Sequence, residues 1–216
     1  MTKIKFCGLA RPEDAVQAAA LGAFYGGAIL TESPRQVTPA HAREVFNAAP
    51  SLTRVGVVGR DSISRLLRMA DEAQLDVLQV HAHLTPNEHA ALRAEFDGAI
   101  WSVIGIDAES GNPAADWKAI ADLSDAILLD TSARGRSGGT GRSFNWEKAQ
   151  PLVHSISQEL SVVLAGGLNP ENVADAVRIL HPAVVDVSSG VEVEPGKKSA
   201  EKMASFAQAV ASASIV

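Results

Sequence analysis

Residues 162–188 read VVLAGGLNPENVADAVRILHPAVVDVS, and the fold follows from how this stretch is parsed. Val162 to Ala165 is a short β-branched run, Gly166-Gly167 is a turn, Pro170 to Leu180 is amphipathic, and Val184 to Ser188 is a second β-branched run. A strand, a helix and another strand in such close succession are the pattern of parallel pairing, because the helix carries the chain back to the start of the sheet.

The same alternation recurs in both directions. Strands are expected at Lys3 to Cys7, Phe24 to Leu30, Thr53 to Val58, Val77 to His81, Ile100 to Ile106 and Ala126 to Asp130. Helices are expected from Pro12 to a stop at Gly22, from Pro39 to Ala49 behind Thr38, and from Ser62 to Ala73. Further helices are expected from Pro86 to Phe96 behind Thr85, around Pro113 to Ala121, from Asn145 to Ile156 and from Ser199 to Val210. Pro at the first helical position, acids in the first turn and Gly after the last turn mark several of these boundaries. Eight strand–helix units predict an α/β chain closed into a (β/α)8 barrel, a TIM barrel, as a single domain over residues 1–216. An open doubly wound sheet is the alternative, but no Gly-x-Gly-x-x-Gly turn follows the first strand.

Composition agrees. Hydrophobic residues make up 46% of the chain but aromatics only 5%, so the core is built from Ala, Val, Leu and Ile, which suits parallel strands covered on both faces. A net charge of −6 argues against non-specific nucleic-acid binding and requires any anionic ligand to be held by local groups. The single cysteine cannot form an internal disulfide, and neither a signal-peptide run nor a membrane-length window is present, so a cytoplasmic protein with no membrane partner is expected.

Barrel enzymes place their chemistry at the C-terminal ends of strands and in the loops that follow. Those positions here hold Cys7, Arg35, His81, Asp130, Gly166, Gly167 and Asp186, with Ser188-Ser189-Gly190 close behind. Glycines after the last two strands let backbone N–H groups approach an anion, and barrels frequently bind phosphate there. Cys7 and Asp130 fall on the first and sixth strands, roughly across the mouth. A thiolate can act as base and a desolvated aspartic acid as acid, so the pair suggests proton shuttling on a small phosphosugar. A lone cysteine is equally at home as a small buried hydrophobe. His81 and His83 have no matched ligands for a zinc site, so no metal is expected. Arg35, after Ser33-Pro34, has the fork geometry for a carboxylate. The long Gly-rich, basic connection from Thr131 to Ser143 reads as a lid or binding loop.

In order, Lys5-Phe6-Cys7-Gly8-Leu9-Ala10-Arg11-Pro12-Glu13-Asp14, Ser33-Pro34-Arg35-Gln36-Val37 and Leu128-Leu129-Asp130-Thr131 resemble the phosphoribosylanthranilate isomerase family of tryptophan biosynthesis. Gly138-Gly139-Thr140-Gly141 with Phe144-Asn145-Trp146, the Leu164 to Val173 stretch and Asp186-Val187-Ser188-Ser189-Gly190-Val191-Glu192 extend the resemblance over nearly the whole chain. It implies a cofactor-free Amadori rearrangement of N-(5-phosphoribosyl)anthranilate. Asp130 would be the general acid, Cys7 the general base, and Arg35 the carboxylate holder. Amides around Gly166, Gly167, Ser189 and Gly190 would grip phosphate, while Asp186 and His81 would line the pocket. The chain departs from the family at Val80-His81-Ala82-His83-Leu84, where Leu-His-Gly and acids are usual. It departs again at the small residues Gly26-Gly27 and at Gly196-Lys197-Lys198-Ser199, which lacks the usual aspartate. Two other readings stay open. One is a barrel that also accepts the histidine-pathway aminoaldose, although such barrels more often use two aspartates. The other is a phosphate-binding barrel without activity. Either a monomer or a homodimer is compatible with the sequence.

Overall fold

A computed structural model of the chain describes residues 1–81, 84–133, 136–137 and 143–213. Eight parallel strands form the sheet: β1 (Lys3–Cys7), β2 (Tyr25–Ile29), β3 (Thr53–Val58), β4 (Val77–Val80), β5 (Ala99–Asp107), β6 (Ala126–Ala133), β7 (Ser161–Leu164) and β8 (Val184–Val187). Each pairs with its successor, and β8 pairs back onto β1 with Lys3 opposite Val184 and Lys5 opposite Asp186, so the sheet is a closed barrel. The α-helices are α1 (Pro12–Ala20), α2 (Pro39–Asn47), α3 (Ile63–Ala73), α4 (Pro86–Glu95), α5 (Trp146–Ser157), α6 (Val173–Leu180) and α7 (Ala200–Ala213). Among the described residues no helix is long and apolar enough to cross a membrane.

Local chemistry explains most boundaries. Thr38 Oγ1 accepts from the His41 amide at the start of α2. Thr85 and Glu88 form a reciprocal capping box on α4. Gly22, at φ +77°, closes α1 as its amide bonds Ala19 O while that of Ala23 bonds Ala18 O, the pairing of a Schellman stop.

Alternation along the strands divides the core. Ile4, Phe6, Ile127, Leu129, Leu164 and Val185 face outward and pack with helix residues such as Ala176, Met203 and Phe206 in one buried cluster. Phe6 and Phe206 are both fully buried, with ring centroids 6.1 Å apart. Inside the barrel, Val55, Val77, Trp101, Ala126, Val163 and Val184 form an apolar layer towards the N-terminal end, with Tyr25 edge-on to Trp101 at 4.8 Å. That layer is the floor beneath the C-terminal mouth.

Three expectations change. The fifth helix, expected around Pro113 to Ala121, is a 3-10 turn at Trp117–Leu123. β5 runs on to Asp107, whose carboxylate ties down the Glu109 and Ser110 amides, and Asp116 caps the Lys118 amide, so little chain remains for an α-helix. The helix expected from Pro170 starts at Val173 because Asn169 and Asn172 cross-bond: Asn172 Oδ1 accepts from the Asn169 amide, and Asn169 Oδ1 from the Glu171 and Asn172 amides. The connection after the sixth strand also begins as structure, since β6 continues to Ala133 against β5 and Arg136–Ser137 folds back antiparallel. Residues 134–135 and 138–142 of the expected lid, including Gly138-Gly139-Thr140-Gly141, lie outside the described residues, as do Ala82 and His83.

Candidate active site

A cavity of about 450 Å³ opens at the C-terminal end of the barrel, and it gathers Cys7, Arg35, His81, Asp130, Gly166, Gly167, Asp186 and Ser189 from the sequence reading into its lining. Gly190 stands one residue behind Ser189. A Cβ on Gly190 would fall 2.0 Å from Leu168 O, so only glycine lets the loop after β8 lie against the loop after β7.

Cys7 is the last residue of β1 and faces inward, because Phe6 before it faces the helices. It sits opposite Gly27 of β2 in the sheet, and a Cβ at Gly27 would lie 3.0 Å from Cys7 Sγ and 3.1 Å from Lys5 Cε. The small second strand noted as a departure is what leaves room for both side chains. Burial pushes the Cys7 thiol up from its ordinary value. The charge of Lys5 pulls it back, Asp186 pushes it further up, and Lys198 pulls it down, with a net rise.

Asp130 stands on β6, beside Gly105 of β5, and its side chain is about one-seventh exposed at 14%. Counted round the barrel, β8 and β7 separate β1 from β6 on one side and β2 to β5 on the other, so Cys7 and Asp130 face each other obliquely across one cavity. His81 Nε2 lies 3.8 Å from Asp130 Oδ2, near enough for electrostatic contact but too long for a hydrogen bond.

Beneath the cavity, Lys5 Nζ donates to Asp186 Oδ2 at 2.8 Å, with the lysine side chain fully buried. Burial disfavours the ammonium, yet the charges of Asp186 and Cys7 and their hydrogen bonds outweigh it and raise the Lys5 pKa. Burial likewise raises the Asp186 carboxyl, against the charge of Lys5. The 2.8 Å contact has the length of a charge-assisted hydrogen bond between ammonium and carboxylate. Gln79 Oε1, Asp186 Oδ1 and Ser188 Oγ are buried without a hydrogen-bond partner among the described residues, and all three residues line the cavity. Buried polar atoms are rarely left so, and polar groups within the cavity would satisfy these three.

On the rim, Ser33 Oγ accepts from the Arg35 amide at 3.2 Å and fixes the turn. Arg35 Nε and Nη2 then donate to Glu192 at 2.9 and 2.7 Å, an edge-on pairing that leaves Nη1 outside it. Glu192 also accepts from Lys198 Nζ at 2.8 Å. Lys198 Nζ bonds in addition the carbonyls of Cys7 and of Ser188, tying the ends of β1 and β8 together. Gly166 and Gly167 have φ of +85° and +66°, and a Cβ on Gly166 would strike the Thr131 amide at 2.6 Å. The amides of Gly166, Gly167, Ser189 and Gly190 enter no backbone hydrogen bond among the described residues.

Lys5, Gln79, Glu192 and Lys198 were not singled out by the sequence. Lys5 and Gln79 carry a usable signal, since each lies two residues before an inward strand-end group, Cys7 and His81, and therefore on the same face. Glu192 and Lys198 stand outside the strand ends, and the partners that tie them to the rim, Arg35 and Cys7, are remote in the chain. Among the described residues no three His, Cys, Asp or Glu side chains converge as a metal site.

The chain as a whole is similar to known proteins. The family described as N-(5'-phosphoribosyl)anthranilate (PRA) isomerase matches residues 4–209. The N-(5'-phosphoribosyl)anthranilate isomerase of Nitrosococcus oceani is 39% identical over 211 residues, covering 97% of both chains. The crystal structure of phosphoribosyl anthranilate isomerase from Thermus thermophilus superposes with a TM-score of 0.83 at 33% identity, covering 98% of this chain and 99% of that one. A phosphoribosyl anthranilate isomerase in complex with reduced 1-(o-carboxyphenylamino)-1-deoxyribulose 5-phosphate superposes with a TM-score of 0.79 at 28% identity, covering 98% of this chain and 100% of that one.

Proposed function

The chain belongs to the N-(5'-phosphoribosyl)anthranilate isomerase family, and on that premise we propose how its own residues carry out the rearrangement. The substrate is a small phosphosugar, N-(5-phosphoribosyl)anthranilate, and the product is 1-(2-carboxyphenylamino)-1-deoxyribulose 5-phosphate. Asp130 gives its proton to the furanose ring oxygen as the C1′–O bond breaks, and the nitrogen lone pair forms a C1′=N Schiff base. The Cys7 thiolate then removes the proton on C2′, and those electrons move through C1′ to nitrogen, leaving an enolamine that tautomerises to the C2′ ketone. No atom is lost or gained, as isomerisation requires.

Substrate placement follows from the rim. Arg35, already aimed by Glu192, presents its free Nη1 to the anthranilate carboxylate. The unbonded amides of Gly166, Gly167, Ser189 and Gly190 suit the phosphate, in loops that follow the last two strands. His81 and Asp186 line the space between. A base that must remain a free thiol suits a reducing compartment, so we place the reaction in the cytoplasm.

The observation that carries this reading is that Cys7 and Asp130 open into one cavity with the glycine loops on its rim. The test is the loss of anthranilate-adduct fluorescence with the wild type, Cys7→Ser and Asp130→Asn. Each substitution should lower turnover by about 10²–10⁴-fold while a product analogue still binds. Near-wild-type turnover in either variant would remove that residue from its role.

A further inference from the structure

We propose that Lys5, held by Asp186, is a positioning residue that supplies the fixed positive charge against which the Cys7 thiolate forms. This rests on Cys7 acting as the base.

The placement of the pair has little structural justification of its own. Lys5 is fully buried in a barrel interior whose neighbouring layer is Val55, Val77, Leu128, Val163 and Val184. Apolar residues of similar volume are often as good as a buried ion pair, or better, for stability. A charge retained at such a place acts on something, and its position shows what. Lys5 and Cys7 are alternate residues of β1 and share one face. On the β2 side Lys5 pairs with Tyr25 and Cys7 with Gly27, and Lys5 Cε and Cys7 Sγ both lie in the space that a Cβ on Gly27 would need.

Donor arithmetic separates the two lysines near the thiol. Lys198 Nζ has three N–H groups and three oxygen acceptors: Cys7 O, Ser188 O and Glu192 Oε1. Lys5 Nζ gives one N–H to Asp186 Oδ2, and the other side chain that acts on its charge is Cys7. Only Lys5 has donors left for the sulfur. The remaining charged groups that face Cys7 are Asp186 from β8, Lys198 with Glu192 from the segment after it, Arg35 from the loop after β2, and Asp130 and His81 across the cavity. Of these, Asp186 opposes the thiolate and Lys198 favours it, while Gly27 brings no charge from β2.

Because the chain has a single cysteine, thiolate absorbance in the ultraviolet reports Cys7 alone. The titration is followed without substrate in the wild type, Lys5→Met and Asp186→Asn, with the pH profile of kcat measured beside it. In Lys5→Met the midpoint should rise by at least about one pH unit, leaving about tenfold less thiolate on the acid side, and the basic shift should appear in kcat with KM little changed. In Asp186→Asn the midpoint should fall, because the thiolate becomes the nearest counter-ion to Lys5. A purely structural pair would lower stability in both variants and leave the titration in place, and that result overturns the proposal. If Lys5→Met does not fold, an unmoved or raised midpoint in Asp186→Asn overturns it equally. Failure here leaves the Cys7→Ser result standing, since the titration reads the thiol and not the reaction.

Discussion

Replacing Glu192 with glutamine keeps the shape of a side chain that is only 5% exposed but removes the charge that orders the cavity rim. One carboxylate here accepts from Arg35 Nε at 2.9 and 3.0 Å, from Arg35 Nη2 at 2.7 Å, from Lys198 Nζ at 2.8 Å and from the Gly196 amide at 3.3 Å. An amide has one acceptor oxygen, and its NH2 group must face either Arg35 or Lys198, so at least one charge-assisted bond becomes a repulsion. Such bonds contribute about 1.5–3 kcal/mol each, which places the loss of stability for Glu192→Gln at about 2–3 kcal/mol. Releasing Arg35 from its fixed edge weakens the grip on the substrate carboxylate, and about 1.4 kcal/mol of that would raise KM roughly tenfold. kcat should change less, because the carboxylate is bound alike in ground and transition states. Acid unfolding gives an independent check. Burial alone would raise the Glu192 carboxyl, but the Arg35 hydrogen bond and the Lys198 charge outweigh it and hold it below the ordinary value. A depressed carboxylate gives stability that is present above the unfolded pKa, about 4.3, and is lost as pH falls through the folded one. Urea titrations of wild type and Glu192→Gln should therefore converge below about pH 4. An unchanged KM, or a stability gap that does not depend on pH, would refute the reasoning.

Three further outcomes are expected. Gly166→Ala places a methyl 2.6 Å from the Thr131 amide and 2.9 Å from Asp130 Oδ1 at φ +85°, so kcat/KM should fall by about 10²-fold or more, a misplacement near the chemistry. Gly22→Ala, at φ +77° with nothing within 4 Å, should lower unfolding free energy by about 1 kcal/mol and leave kcat/KM alone. Burial, helped by the charge of Arg93, holds the His89 ring below its ordinary pKa, and its Nε2 meets Ser102 Oγ at 3.1 Å. The sign follows from that depression: stability is complete above about pH 6.5 and declines as pH falls through the folded value, so His89→Gln should flatten denaturation midpoints between about pH 7 and 5.

The barrel was legible because parallel strands buried on both faces are mostly apolar runs, and the caps Thr38 and Thr85 mark where two of the helices between them begin. What the sequence could not show was competition between neighbouring signals. Pro113 to Ala121 has helical composition, yet Asp107 and Asp116 each bind nearby amides and leave only the 3-10 turn at Trp117–Leu123. Pro170 is a good helix opener, but the crossed Asn169 and Asn172 bonds hold the chain in a turn until Val173.

The site divides along the same line. Cys7, Asp130 and the glycines after β7 and β8 were readable because each stands at the end of a recognisable strand, where barrels keep their chemistry. Their electrostatic supports were not, because they depend on distances that no single strand encodes. Lys5 meets Asp186 only when β8 closes onto β1, and Arg35 meets Glu192 only when the segment after β8 returns across the mouth of β2. A side chain's face can be read from its own strand by counting in twos, which would have placed Lys5 beside Cys7. The neighbour that gives that lysine its charge state is set by the register of closure, so the strand ends locate the reacting groups and the seam of the barrel sets the field in which they react.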